Sequence, residues 1–404
     1  MNILYIHQYF NTPQEPGGTR SYWISQELIK RGHNVTMITG TNNALHKEPK
    51  EEIVDGIKVI YLPNKYSNYM GAGNRILSFV KFMFRAIVAG WKQNDIDLVF
   101  ATSTPLTVGA VAIALKWTKG WKYVFEVRDL WPEGLIQEGI TNPVVVWALR
   151  LLEKMSYHKA EHVIALSPGM KDGVMRVGTK DGDCTMIPNM SKPDKFFPRE
   201  PNMAIVNQYG IELDKFNLIH FGAMGFDNYN EYIVEAAKLA QEQGKDKLNF
   251  ILLGDGSTVP LIKKMISDYE LKNIQYLGNH KMNVVSDIVN CCSASIVSFR
   301  NIPILATNSP NKMFDSLSAG KPIIVNSAGW TKDLVEKENC GCFVNPEDPQ
   351  DLVDALQDMA NSPEKCKLWG ENSRRLSVEK FDKSILSAQV ADVLDMAYKR
   401  INKC

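Results

Sequence analysis

No Cys-x-x-Cys pair occurs in this chain. Its seven cysteines are an odd number, and the two close sets, Cys291-Cys292 and Cys340-Gly341-Cys342, are spaced for neither a zinc site nor a disulfide. Reduced, buried thiols in a cytoplasmic protein are therefore expected. Charge of one sign is scarce as well: 46 basic against 45 acidic residues leave a formal net charge of +1. A dedicated nucleic-acid binder would be strongly basic, so that partner class is set aside. Long apolar runs are missing too. Met1 leads directly into the strand pattern Ile3–Ile6 with no basic or extended apolar leader, and no segment is apolar for long enough to span a bilayer. The patterns Gly-x-Gly-x-x-Gly, Gly-x-x-x-x-Gly-Lys-[Ser/Thr] and Gly-x-Ser-x-Gly are absent, which weakens the dehydrogenase, P-loop and α/β-hydrolase readings. His158 and His162 stand four apart without the carboxylate of a His-Glu-x-x-His helix, so they read as satisfied histidines and no metal is expected.

What the sequence does contain is alternation. At 404 residues the chain is too long for one compact core, and 45% hydrophobic with 23% charged residues is an ordinary globular balance. Strand patterns at Ile3–His7, Asn34–Thr39, Lys58–Leu62, Leu98–Ala101, Lys122–Val127, His162–Leu166 and Cys184–Ile187 are separated by helical patterns. After the turn-rich stretch Pro188–Pro201 the alternation restarts at Phe216. Strands that alternate with helices predict two parallel-sheet α/β domains, with ligands at the carboxyl ends of the strands facing a cleft. The expected limits are 1–195 and 202–381, with a terminal helix of about 382–404 packing back on the first domain.

One helical stretch, Ile76–Trp91, is almost wholly apolar, while Arg75, Ser78, Lys81 and Arg85 recur at helical spacing beside it. Two readings stand: a core helix with one solvated edge, or a helix lying on an anionic membrane surface with Trp91 and Lys92 near the interface.

Three constellations point to chemistry. In Ser309-Pro310-Asn311-Lys312-Met313-Phe314-Asp315, Ser309 suits a helix cap and Pro310 the first helical position. The helix N-terminus and Lys312 would then hold a diphosphate, and Asp315 two ribose hydroxyls. Gly17-Gly18-Thr19-Arg20 opens a helix after the first strand, either as a structural turn or as a substrate loop with Arg20 adding charge. Glu126-Val127-Arg128-Asp129 comes off a strand end. Asp129 could hold an acceptor hydroxyl and Arg128 an anionic oxygen, with Glu126 pointing the other way; the alternative is a buried structural arginine–carboxylate pair.

Together these residues resemble the family-4 retaining glycosyltransferases of the GT-B fold over nearly the whole chain. Gly17-Gly18, Leu28 to Thr36, Asp129-Leu130-Trp131-Pro132-Glu133, Glu153 to Ser167 and Ile187-Pro188-Asn189 carry the first half of the likeness. Phe221-Gly222, Leu252 to Gly256, Tyr276-Leu277-Gly278 and Ala319 to Ile324 carry the second. The resemblance implies a nucleotide-sugar donor, expected to be UDP-linked, held mainly by the second domain. It implies an acceptor glycan or lipid-linked sugar on the first, and transfer with retention, without metal or cofactor. Gly17, Gly18, Arg20, Gly222, Gly254, Ser309, Asn311, Lys312 and Asp315 are then expected to bind substrate, and Asp129, Arg128 and Thr307 to stand at the reacting centre.

Three departures from the family pattern stand out. The paired acids fall on Thr307 and Asp315, the usual basic pair on Ala223 and near Tyr229, and the usual histidine on Arg128. The expected role is hexosyl or N-acetylhexosaminyl transfer in capsule or lipopolysaccharide assembly, in the cytoplasm and at the inner face of the membrane. The alternatives are a nucleotide-sugar epimerase and an inactive nucleotide-sugar-binding scaffold.

Overall fold

The computed structural model describes residues 1–15, 17–42, 48–67, 70–137 and 141–402. It divides the chain into two compact units: Met1–Pro13, Gly17–Pro188 and Lys383–Cys404 form the first, and Asn189–Asp382 with Gln14–Pro16 the second. The expected boundary at 195 therefore falls earlier. Ser191 donates to the Phe314 carbonyl and Lys192 meets Asp315, so these residues join the second unit.

The first unit begins β1 (Asn2–Ile6), α1 (Arg20–Lys30), β2 (Asn34–Thr41), β3 (Lys50–Val54), β4 (Ile57–Pro63), α2 (Ala72–Trp91) and β5 (Leu98–Thr102). It continues α3 (Thr107–Lys119), β6 (Tyr123–Val127), α4 (Glu133–Gln137), α5 (Pro143–His158), β7 (His162–Ala165), α6 (Pro168–Arg176) and β8 (Cys184–Met186). The sheet order is β3-β4-β2-β1-β5-β6-β7-β8, parallel except for β3 against β4. β1, β5 and β6 are buried almost throughout, which is why they read as continuous apolar runs and not as alternating ones. The β3 strand was not legible: Lys50-Glu51-Glu52 carries charge on an edge, where charge protects against further pairing.

The second unit begins α7 (Met203–Tyr209), β9 (Phe216–Ala223), α8 (Asn230–Glu242), β10 (Leu248–Asp255), α9 (Val259–Asp268), β11 (Ile274–Gly278) and α10 (Met282–Asn290). Then follow β12 (Ala294–Val297), α11 (Asn311–Ser318), β13 (Ile323–Val325), α12 (Trp330–Lys337), β14 (Gly341–Phe343), α13 (Pro349–Ala360) and α14 (Pro363–Glu379). Its parallel sheet runs β11-β10-β9-β12-β13-β14. The last helix, α15 (Lys383–Ile401), returns to the first unit. There Arg31 donates to Asp392 at 2.7 Å and to the Ala388 carbonyl at 3.1 Å, and Lys383 stacks on Trp23.

In both sheets the strand order reverses beside the first strand, at β1/β5 and at β9/β12. Loops leaving the carboxyl ends there diverge to opposite faces and leave a crevice, the general ligand position in open α/β sheets.

Candidate active site

In the second unit, the β9/β12 crevice is floored by two glycines. Gly222 and Gly254 face each other across the β9–β10 register, and both have positive φ, +114° and +144°. A Cβ on Gly254 would lie 1.8 Å from the Gly222 carbonyl oxygen, so this pair of backbones can approach only without side chains. Gly254 is thus required by the meeting of two loops, whatever else it does.

Lys312, on the first turn of α11, reaches into this crevice. Its Nζ donates to Asn228 Oδ1 at 2.7 Å and lies 3.3 Å from His220 Nε2, while its Cε passes beneath Gly222. The side chain is buried, and burial draws its ammonium down to about 7. His220 is held well below its ordinary value by burial and by Lys312, so it meets the lysine as a neutral imidazole. A buried cation set among an amide oxygen, a neutral imidazole and the Phe299 ring suits an incoming anion.

Asp315, next on the same helix face, is buried too. Its two carboxylate oxygens lie 2.9 and 3.1 Å from Lys192 Nζ, and burial raises its pKa against the opposing pull of that lysine. Asp315 therefore already has a cationic partner, one that lies 123 residues away and carries no local sequence signal. Ser309 does not cap α11. Its Oγ accepts from the Asn189 backbone N–H at 3.1 Å and its carbonyl accepts from the Asn189 amide, so it ties the helix start to the entering chain. Pro310 occupies the capping position and Asn311 is the first helical residue. Thr307 lies in the turn before α11, its hydroxyl donating to the Ile304 carbonyl at 2.7 Å.

The neighbouring loop is organised by Arg300, which sequence reading missed. It donates to the Phe226 carbonyl at 2.8 Å, pairs with Glu231 at 2.6 Å and lies over the Phe226 and Tyr229 rings. The same loop carries Asn228, so Arg300 fixes the acceptor that holds Lys312. Beside Tyr229, one of the two positions where the basic pair is missing, the loop after β12 thus places a cation that is already paired with Glu231.

In the first unit, the β1/β5 crevice gathers His7, Ser103, Thr104, Arg128 and Asp129. Arg128 Nη1 lies 3.3 Å from His7 Nε2, the Arg128 N–H donates to Ser103 Oγ at 2.9 Å, and Thr104 donates to Asp129. Burial and the Arg128 charge keep His7 well below its ordinary value, and Ser21 Oγ contacts its Nδ1 at 2.9 Å. Arg128 and Asp129 are thus together as expected, with a neutral histidine that the end of the first strand could have signalled.

Arg20 is not part of this group. It is buried, with Nε 2.9 Å from Glu126 Oε1, and it also donates to the Ile187 and Pro188 carbonyls. The buried arginine–carboxylate pair weighed for the Glu126–Asp129 stretch forms with an arginine from outside it: Glu126 takes Arg20, not Arg128, and Arg20 holds the end of the unit instead of a phosphate. Gly17, with φ +121°, would clash with Asn11 if it bore a Cβ, and Gly18 follows it into the start of α1. His158 Nε2 meets the Val177 carbonyl and His162 Nε2 the Thr185 hydroxyl, but His162 Nδ1 is buried without a partner among the described residues, so only His158 is satisfied as expected. Among the described residues, no group of three or more His, Cys, Asp or Glu is placed to hold a metal ion.

Two doubly wound parallel-sheet units, each with polar groups gathered at its switch point, define an α/β protein of the GT-B type. Residues 17–190 match the family model for the glycosyl transferase 4-like domain, and residues 203–376 that for glycosyl transferases group 1. The chain belongs to this glycosyltransferase family, and the protein is a glycosyltransferase. It is 23% identical over 301 residues to the probable glycosyltransferase WbjE of Pseudomonas aeruginosa, covering 71% of this chain and 73% of the relative. Sucrose-phosphate synthase from Thermosynechococcus elongatus shares the fold over 99% of both chains, with a TM-score of 0.78 at 18% identity. HepE of Anabaena, solved in complex with UDP-glucose, superposes over 98% of this chain and 100% of its own, with a TM-score of 0.72 at 19% identity.

Proposed function

We propose that this glycosyltransferase moves a hexosyl or N-acetylhexosaminyl group from a UDP-linked donor, with retention, to a glycan or lipid-linked sugar acceptor in surface-polysaccharide assembly. The observation that carries the donor half is Lys312: a buried ammonium held by His220 and Asn228 at the sheet's switch point. A donor diphosphate would supply the missing negative charge, and the start of α11 would add its dipole. The UDP-glucose complex of HepE, a protein of like fold, supports UDP as the nucleotide. Asp315 would accept ribose hydroxyls on the lone pairs that Lys192 leaves, and Asn311, Ser309, Gly222 and Gly254 would line the same pocket.

In the reaction proposed, the bond between the anomeric carbon and the diphosphate oxygen breaks and a bond to an acceptor hydroxyl oxygen forms. The hydroxyl proton leaves with the diphosphate. Lys312 stabilises the charge that builds on the leaving group, which is the charge a metal would otherwise offset, and no metal or cofactor is assigned. Thr307 would contact the donor sugar. Arg128 and Asp129, with His7, would orient the acceptor, whose lipid-borne form places the enzyme in the cytoplasm at the inner membrane face.

The test is thermal shift against UDP-, GDP-, ADP- and dTDP-linked sugars. A ligand at about a hundred times its Kd adds roughly 2.7 kcal/mol. UDP compounds should stabilise the protein and Lys312→Met should cut the effect by about half or more; no shift with any nucleotide would overturn the assignment. One observation favours a second reading, a donor-binding protein without turnover: Thr307 stands where the family has an acid, and its hydroxyl is turned to Ile304. UDP binding without UDP release in the presence of acceptor glycans would select it.

A further inference from the structure

The helices of the first unit are unequal in charge. α2 and α3 pack side by side, and α3 packs in turn on α5, forming one helical layer. Within these three helices the sequence has no aspartate, and its one glutamate, Glu153, is buried. Arg75, Lys81, Arg85, Lys116, Lys119, Arg150 and Lys154 are their lysines and arginines. On the opposite side, α1 and α15 carry Glu27, Asp392 and Asp395, which engage Arg31.

The acid-poor layer is also the greasy one. Phe84 is 61% exposed, Trp91 57%, Trp117 65% and Trp147 65%. On α2 the outward residues are Leu77, Lys81, Phe84, Val88 and Trp91, a stripe at helical spacing. The sequence pattern had placed Ser78 on the solvated edge, but Ser78 is buried and accepts from Asn64, so apolar residues that looked like core face outward. Lys119 joins the helices at one end, its Nζ 5.1 Å from the Trp91 ring and 5.5 Å from that of Trp121.

We infer that the outer face of the α2–α3–α5 layer seats on an anionic lipid surface. Tryptophan has an apolar body and a polar N–H, which suits the headgroup boundary, and lysines beside it reach lipid phosphates while their stems stay in the apolar zone. Arg150 pairs with Glu133 and Lys116 with Glu161, so the face is not free of carboxylates, but its cations exceed its acids and Lys81 and Lys154 stand outside these pairs; that excess is complementary to anionic lipid. No described helix is long and apolar enough to cross a membrane, so the contact is peripheral. The inference needs no assignment of donor or acceptor.

The experiment is sedimentation of the full chain with vesicles of phosphatidylcholine, with and without phosphatidylglycerol. The protein should partition onto the anionic vesicles and lose that binding at high salt. Lys81→Ala with Lys154→Ala should weaken it roughly 25-fold, about fivefold per lysine. Phe84→Ser with Trp147→Ser should weaken it at low salt too. Partitioning that is absent, or indifferent to phosphatidylglycerol, overturns the inference. So does a concentration-dependent dimer that Phe84→Ser disperses, since a second copy would then cover the face. UDP-sugar thermal shifts on the same variants should equal those of the unaltered protein, so a failed donor assignment and a failed membrane contact give different results.

Discussion

The Lys312 ammonium sits 2.7 Å from the Asn228 amide oxygen, so a buried cation in the second unit is held by a neutral dipole. Three residues on, Asp315 has its lysine, while no carboxylate among the described residues pairs with Lys312. That asymmetry separates a group that can take up a ligand charge from one already neutralised.

Replacing Lys312 by Met keeps the volume and removes the charge. Donor affinity should fall roughly 10- to 100-fold, the worth of a charge-assisted hydrogen bond. The unliganded protein should unfold at the same or higher denaturant concentration, because a poorly paired buried charge has been removed. Calorimetric titration with UDP and urea unfolding read the two effects separately.

The same lysine gives a pH signature. Its ammonium titrates near 7 in the folded protein and at 10.5 ordinarily. Between those values the unfolded chain holds a proton that the folded one lacks, so this group makes stability rise with pH across the window. Its penalty is fully present below 7. A bound diphosphate favours the charged form. Donor binding above pH 7 should therefore take up a proton, and affinity should decline as pH rises. Titration in buffers of different ionisation enthalpy measures the uptake, which Lys312→Met should abolish.

Asp315→Asn leaves Lys192 buried without its carboxylate and should cost about 3–5 kcal/mol. Adding Lys192→Met should restore most of the stability, while UDP affinity stays low if Asp315 also holds the ribose. Urea unfolding and UDP titration of the single and double variants give the cycle; full recovery of UDP affinity would limit Asp315 to a structural role.

Arg20→Met strands Glu126 in the core of the first unit and should also cost about 3–5 kcal/mol. The UDP thermal shift should survive in the protein that remains folded. Loss of the shift at unchanged stability would return Arg20 to the donor site.

Gly254→Ala sets a methyl group against the Gly222 carbonyl at a backbone angle that L residues avoid. A loss of roughly 2–5 kcal/mol is expected, combining strain with overpacking. Denaturant unfolding checks it.

Much of this molecule was legible in one dimension. Continuous apolar runs such as Leu98–Ala101 and Phe250–Leu253 marked buried parallel strands, because both faces of such strands are covered. Arg31-Gly32-His33 marked a helix end, since Gly32, at φ +81°, takes the left-handed conformation. Short elements such as α4, α7 and β14 were missed, because a few residues carry too little periodicity to stand out from turns. The position of Lys312 at a helix start after β12 was readable; its partners His220 and Asn228 were not.

The sequence by itself determined the alternation of strand and helix, the positions of the glycines at the strand ends and the membership of Asp315 and Lys312 in one helical turn. These are set by the local geometry of the backbone and by a periodicity that spans a few residues. The tertiary structure decided which charges meet. Arg20 finds Glu126 from 106 residues away and Lys192 finds Asp315 from 123, each through the order in which strands join a sheet. Coulomb and hydrogen-bond energies depend on separation in space, and in a doubly wound sheet that separation bears no relation to distance along the chain.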